Sequence, residues 1–406
     1  MIPFSARWFA AVLAASGLVL AAVAAEPAPP FPRVEFLLKP EVIVRHTPER
    51  VFVGPSLFRL ENGDILMAAP WGRKPADFAR ERTALEMPMI YRSRDRGRTW
   101  REDHCFAMDW KLTGVPRDGG ISFLRLRDGR LAALFNRDVD FGGGVPVITF
   151  SGDEGLTWSP AKPLIDREDV YYVMNDRLIQ LRSGRLVVPA SHKLGRKEGD
   201  HDECLAFLSD DAGATWRLSR GAITLNPFSG GVNRGLAEPC VVELKDGRIL
   251  MLARTGAGSH HQSISSDGGE TWSPPQPTTL TAALSPLTLY RLPDGRLIVF
   301  YEHAKPVFPG SMFPRNPLVC ATSADEGASW SPPLLIDDEG LPAVNGITQQ
   351  HIYPCACFLP EGILLVYSSH RAFADGGSRN WKTKLADIWQ IGGGERCLFK
   401  YPAPSR

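Results

Sequence analysis

The chain has 406 residues, 46 Lys+Arg against 45 Asp+Glu, a formal net charge of +1 and 44% hydrophobic residues. So even a balance gives no electrostatic reason to bind nucleic acid or anionic membrane. Its seven cysteines show neither zinc-like nor paired spacing, which argues against a metal site and against a disulfide framework in a chain this large. No nucleotide motif is present either, so no cofactor is expected.

The chain opens with a targeting signal. Arg7 supplies a positive n-region, Phe9 to Leu20 a short apolar core, and Ala22-Val23-Ala24-Ala25 the small residues a cleavage site needs. Residues 1–25 are therefore expected to be a signal peptide and the mature protein to be exported, to the periplasm or beyond. No other stretch approaches the roughly 18 apolar residues that span a bilayer, so no membrane contact is expected after cleavage. A Pro-rich EPAPPFP segment follows, and residues 26–406 read as a single domain.

Two interleaved repeats fill that domain. Apolar alternation brackets a turn signal six times: LENGDIL around Gly63, LRDGRLA around Gly129, LRSGRLV around Gly184, LKDGRIL around Gly247, LPDGRLI around Gly295 and LPEGILL around Gly362. Asn-Gly and Asp-Gly between alternating hydrophobics predict hairpins, here with a type I′ turn. Between successive hairpins runs a second pattern: SRDRGRTW from Ser93, SGDEGLTW from Ser151, SDDAGATW from Ser209, SSDGGETW from Ser265 and SADEGASW from Ser323. Its aspartates (Asp95, Asp153, Asp211, Asp267, Asp325) recur every 56 to 58 residues, and a fixed period of that size signals a repeat architecture. Asp and Gly suit a tight turn and Trp is an apolar plate that wedges between strands, so the pattern reads as structural.

Each unit is thus an inner hairpin followed by an outer hairpin carrying the box. Six inner hairpins predict six blades, the last without a box. Its outer strands are expected from Leu385 to Ile391 and from the N-terminal run Val34 to Val44, which would close the ring and hide the open edges. Cys355 and Cys357, two apart on a predicted inner strand, are expected to be buried.

The Ser-x-Asp-x-Gly-x-Thr/Ser-Trp pattern resembles the Asp box of the sialidase-like β-propellers, and the resemblance covers nearly the whole mature chain. It implies an all-β, six-bladed β-propeller with the boxes on one face and the site on the other, where inner strands start and second strands exit. Polar residues sorted to that face include Arg117, Asp118, Asn175, Asp176, Arg177, Glu238, Ser285 and Tyr353 at strand starts. Second-strand exits add Arg73, Asp77, Asn136 to Asp140, His192, Arg254, His303 with the later Arg315, and His370 with Arg371.

Glu238, Arg254, Arg315 and Tyr353 stand in the blade order of the exo-sialidase site. The resemblance implies Tyr353 as nucleophile, Glu238 as its activating base, Arg254 and Arg315 as a clamp on a substrate carboxylate, and Asp77 as the first choice of general acid, with Asp118, Asp138 and Asp140 as rivals. A sialic acid carries a carboxylate on its anomeric carbon, which repels an attacking carboxylate but not a phenol; guanidinium forks match carboxylate oxygens. One departure stands out: Val53 lies where the family has its first arginine. Arg73, Arg177 or Arg117 would have to complete the clamp, and Asn175, Asp176, Arg177 and His192 form a group without a sialidase role. The implied function is an exported glycosidase removing a terminal acidic sugar from glycoconjugates. Alternatives are a glycosidase or lyase acting on another acidic polysaccharide, or a non-catalytic glycan-binding propeller.

Overall fold

A computed structural model describes residues 31–45, 51–52, 54–69, 71–72, 89–103, 120–139, 143–166, 171–193, 202–225, 235–306, 314–338, 347–373 and 392–404. The predicted signal peptide lies outside them, as do Val53, Arg73, Asp77, Arg117, Asp118 and Asp140. Among the described residues the regular elements are strands, paired antiparallel within every sheet.

The first five blades lay their strands side by side in chain order, and a separate short sheet pairs Val51–Phe52 with Trp71–Gly72. The fourth, for example, runs Leu236–Glu243, Ile249–Thr255, Ser259–Ser265, Gln276–Thr281, and the fifth Leu287–Arg291, Leu297–Glu302, Leu318–Ser323, Leu334–Asp337. The second and third are fused, because the short strand Tyr171–Tyr172 pairs with Gly144 on one side and with Ser191 and His192 on the other. The sixth sheet is assembled from both ends of the domain: Ile347–Leu359, Gly362–Phe373, Gly392–Phe399 and, outermost, Phe36–Arg45. The N-terminal strand thus sits where the sequence puts it. The third strand is Gly392–Phe399, directly after the expected Leu385–Ile391, which lies outside the described residues.

Apolar residues buried on both faces of the middle strands explain the stacking. Phe58, Leu66 and Ala68 of the first blade share a core with Phe123, Leu131 and Phe135 of the second. Leu57, Ile65 and Met67 pack from the other face against Cys355, Cys357, Leu364 and Val366 of the sixth. The last blade therefore meets the first, and the architecture is a six-bladed β-propeller. Each fully buried Leu, Ile or Phe in these seams contributes about 1.5–3 kcal/mol. The core is a ring of inter-blade layers, and it claims both cysteines as expected.

The inner-hairpin turns differ from the sequence reading. At Leu60 the Gly63 N–H donates to the Leu60 carbonyl at 3.0 Å, and the Leu60 N–H to the Asp64 carbonyl at 2.9 Å. Only the glycine has positive φ, so the turn is type I closed by a glycine bulge, not type I′. The same pair of bonds recurs at Leu126, Leu181, Leu244 and Leu292. Gly362 has another purpose: it pairs directly with Leu359, and a Cβ there would run into the Phe399 carbonyl oxygen.

In each box the aspartate organises the outer turn. Asp211 accepts the Thr215 N–H at 2.9 Å, the Thr215 hydroxyl at 2.5 Å and the Ser209 hydroxyl at 2.8 Å, while Trp216 Nε1 donates to the Gly213 carbonyl at 3.1 Å. The residue before the box glycine (Arg96, Glu154, Ala212, Gly268, Glu326) is left-handed and latches onto the preceding blade's inner turn. Arg291 and Lys245 hold Glu326, Arg130 holds the Ala212 carbonyl, and Arg96 reaches Glu361 at 3.3 Å across the seam between last and first blades.

Candidate active site

The opposite ends of the inner strands carry the site. As the chain enters these strands it passes through one left-handed residue: Gly54 (φ 58), Gly120 (φ 87), Asp176 (φ 49), Glu238 (φ 47) and Tyr353 (φ 52) in blades one to four and six. Glycine takes this conformation freely, whereas an L-residue is strained by about 1–2 kcal/mol. In blades four and six the left-handed residue falls within a break in pairing register, between Ala237 and Cys240 and between Ile352 and Cys355. Such bulges re-aim a side chain, and here they turn Glu238 and Tyr353 toward each other.

The Tyr353 hydroxyl donates to Glu238 Oε1 at 3.1 Å, and Arg254 Nη1 lies 2.9 Å from Glu238 Oε2. The Glu238 N–H donates to Ser191 Oγ at 2.6 Å, fixing the bulge from the third blade. Glu238 and Arg254 are 9% and 5% exposed, a nearly dry ion pair, while Tyr353 is half-buried. Arg315 comes from the loop returning to the third strand of blade five. Its Nη2 donates to the Leu284 carbonyl at 3.3 Å, and its own carbonyl accepts the His351 N–H at 2.9 Å.

Burial and the Glu238 carboxylate hold the Tyr353 phenol above its usual range, against the opposing pull of Arg254 and Arg315. Burial works against the Arg254 charge too, but Glu238, Tyr353, Asp202 and Glu302 around it outweigh that and raise it. Arg315 is lowered by burial and by Arg254. The arrangement is a protonated phenol on a carboxylate base, with the Arg254 guanidinium paired to that base.

Sequence reasoning missed Glu302. It ends the strand Leu297–Glu302 and is 0% exposed. Burial pushes it up to about 8, against the pull of Arg315, the Ser285 hydroxyl and Arg254. The available signal was an acid terminating the otherwise apolar run LIVFYE.

Asp176 and Arg177 are not joined to the pair. The Asp176 carboxylate accepts the Tyr290 hydroxyl at 2.8 Å, and burial pushes it up to about 6. Arg177, 1% exposed, donates through Nη2 to the Leu287 carbonyl at 2.8 Å, which ties blade three to blade five. Asn175 and Asn136 are likewise spent on the backbone, donating to the Pro55 and Val173 carbonyls. His192 is held by Glu203 at 2.8 Å and stacks on Tyr171. Among the described residues no group of three His, Cys, Asp or Glu is arranged to hold a metal ion.

Comparison with known proteins agrees with this architecture. Residues 120–367 match the family described as BNR repeat-like domain. A sialidase of Micromonospora viridifaciens is 25% identical over 317 residues, 68% of this chain and 44% of the relative. The chain spans less than half the length of the curated relatives it matches. Among solved structures, an intramolecular trans-sialidase from Ruminococcus gnavus in complex with oseltamivir carboxylate has a TM-score of 0.56 at 16% identity, covering 88% of this chain and 97% of that one. A Penicillium chrysogenum alpha-L-arabinanase complexed with arabinobiose has a TM-score of 0.55 at 16% identity, covering 89% and 98%. At such identities the structures speak for the fold alone. With the family match covering more than half its length, the chain belongs to the BNR repeat-like, sialidase-like β-propellers.

Proposed function

We propose that this protein is an exported glycoside hydrolase of the exo-sialidase type, removing a terminal acidic sugar from glycoconjugates. The observation that carries the reading is the 3.1 Å hydrogen bond from Tyr353 to Glu238. Both residues accept a strained backbone, and strain of this kind clusters at functional sites. A binding module has no need of a phenol poised on a base beside two guanidinium groups.

The chemistry follows from the geometry. Tyr353 Oη attacks the anomeric carbon as its proton passes to Glu238, forming a glycosyl–tyrosine bond and releasing the aglycone oxygen. That oxygen takes a proton from an acid, for which Asp77 is the candidate. Water then attacks the same carbon, passing a proton to the carboxylate left at Asp77, and the phenolate leaves, reclaiming its proton from Glu238. Because Tyr353 is held above its ordinary range, it is inert until Glu238 accepts its proton, which fits general-base activation. Arg315 and Arg254 would take the substrate carboxylate. Arg73 is the candidate for the guanidinium missing at Val53.

The test is to incubate the purified protein with sialosides, uronosides and acidic polysaccharides. Release of free sialic acid, reduced at least about a thousandfold in Tyr353→Phe, is the expected result. Turnover of a uronoside but no sialoside, still dependent on Tyr353, would keep the pair and replace the sugar. A Tyr353→Phe protein with near-normal turnover would remove the mechanism.

A further inference from the structure

Glu238 and Tyr353 leave the chain from the same three-residue turn. Glu238-Pro239-Cys240 opens the inner strand of blade four and Tyr353-Pro354-Cys355 that of blade six, each with its first residue left-handed. The proline has no N–H to give to a ladder, and the pairing register breaks across both turns. Backbone groups there must find partners outside their own sheet, because a buried N–H or C=O is almost always paired.

A hydroxyl from the preceding blade supplies one each time. Ser191 Oγ, on the second strand of blade three, accepts the Glu238 N–H at 2.6 Å. Thr288 Oγ1, on the inner strand of blade five, donates at 2.7 Å to the carbonyl of Pro354, the residue after Tyr353. Both hydroxyl residues are 1% exposed, so solvent does not compete for either bond. The same device occurs where no reacting group is at stake: Ser56 of blade one donates to the carbonyl of Ile121, the residue after left-handed Gly120.

These two bonds act at the root of the pair. Tyr353 and Glu238 meet at 3.1 Å from blades six and four, and each side chain is aimed only while its own backbone stays left-handed. A turn that loses its anchor relaxes toward the right-handed conformation that L-residues prefer and swings its side chain off that line. Resting on the Tyr353–Glu238 reading above, we infer that Ser191 and Thr288 are positioning residues: each holds the left-handed turn beneath one member of the pair from the adjacent blade, and together they set the distance across which the proton passes. Each hydroxyl reaches backbone and not the reacting atoms, so its removal weakens the chemical step and spares the grip on the substrate.

The experiment compares Ser191→Ala, Thr288→Val, Thr288→Ser and Ser56→Ala with the wild type, by steady-state kinetics on the acidic sugar it turns over and by a crystal structure of each. Misplacing reacting groups by about 1 Å costs about a hundredfold in rate, so kcat in Ser191→Ala and Thr288→Val should fall about ten- to a hundredfold. KM should stay within about twofold, because ground-state binding is untouched. Thr288→Ser keeps the hydroxyl and should return kcat to near the wild-type value. Ser56→Ala removes the same kind of bond away from the pair and should leave kcat unchanged. In the structures the Tyr353–Glu238 contact should open from 3.1 Å beyond hydrogen-bonding reach in Ser191→Ala and Thr288→Val only. An undiminished kcat in both, a loss that appears in KM instead, or an equal loss in Ser56→Ala overturns the inference and leaves Tyr353 and Glu238 in their roles. If the wild type turns over no acidic sugar, the reading above fails and the structures still decide: an unchanged contact in both hydroxyl-free variants overturns the positioning role. Should one of those variants not fold, the other carries the test.

Discussion

Removing Glu238 should destabilise the protein out of proportion to the contacts it deletes. Arg254 is 5% exposed and its main counter-charge is the Glu238 carboxylate at 2.9 Å. Stranding one member of such a pair costs about 3–5 kcal/mol, and the lost Tyr353 hydrogen bond adds about 1 kcal/mol. Asp202 also supports the Arg254 charge, which moves the expectation for Glu238→Ala toward about 3–4 kcal/mol. Arg254→Ala should cost a similar amount by stranding Glu238. The double variant strands neither, so it should fall short of the sum by about 2 kcal/mol, within the coupling range of contacting residues. Urea unfolding of the four proteins measures this, with Tyr353→Phe as a control expected to lose no more than about 1 kcal/mol. Single-variant costs that add within about 0.5 kcal/mol would refute the claim that the pair is dry and mutually dependent.

The Asp boxes predict an acid transition. Bonds from the Thr157, Thr215 and Thr271 turns, partly opposed at Asp267 by burial, hold Asp153, Asp211 and Asp267 at about 2, below the usual carboxylate range. Their stabilisation is complete above the unfolded value near 4 and is lost as pH falls toward 2. Tryptophan fluorescence should follow a steep, multi-proton loss of structure in that window, and Asp211→Ala should move it to higher pH. Two glycine variants should separate two reasons for glycine. Gly184→Ala meets open space but keeps φ +96 and should cost about 1–2 kcal/mol. Gly362→Ala would drive its Cβ into the Phe399 carbonyl and should cost more, with loss of protection in amide exchange across Gly392–Phe399.

What was legible in the sequence follows from what repeats. Ser93, Asp95, Gly97 and Trp100 recur because one turn needs one set of atoms, so five copies fixed the outer hairpins and the inner turns fixed the blade number. The periodic frame also led to Glu238 and Tyr353, since a polar residue opening an inner strand has a defined place on the ring. Features that belong to a single blade were harder to see. GGGERCLF, just past the expected Leu385 to Ile391, is the third strand of the sixth blade, its glycines allowing close approach: a Cβ on Gly393 would meet the Val44 carbonyl. Arg177 has the right position for the funnel, but its guanidinium is drawn inside to Leu287, a contact between blades 110 residues apart that no local pattern encodes. Glu302 closes an apolar strand, and the charged Arg315 that influences it arrives only after a loop.

The left-handed position at the entrance to the inner strands gives the rim a vocabulary of its own. Blades one and two leave that position as glycine, while blades three, four and six write Asp176, Glu238 and Tyr353 into it. A side chain placed there is aimed by backbone geometry that the rest of the blade already maintains. New chemistry can therefore be tried one letter at a time, at a strain of about 1–2 kcal/mol per letter and without redrawing any strand. Glycine at such a position relieves the backbone strain, although at residue 238 it also strands the buried Arg254. Diversification of the reactions carried on this ring should then proceed by point substitution at a handful of equivalent positions, and a library confined to residues 54, 120, 238 and 353 samples that space directly.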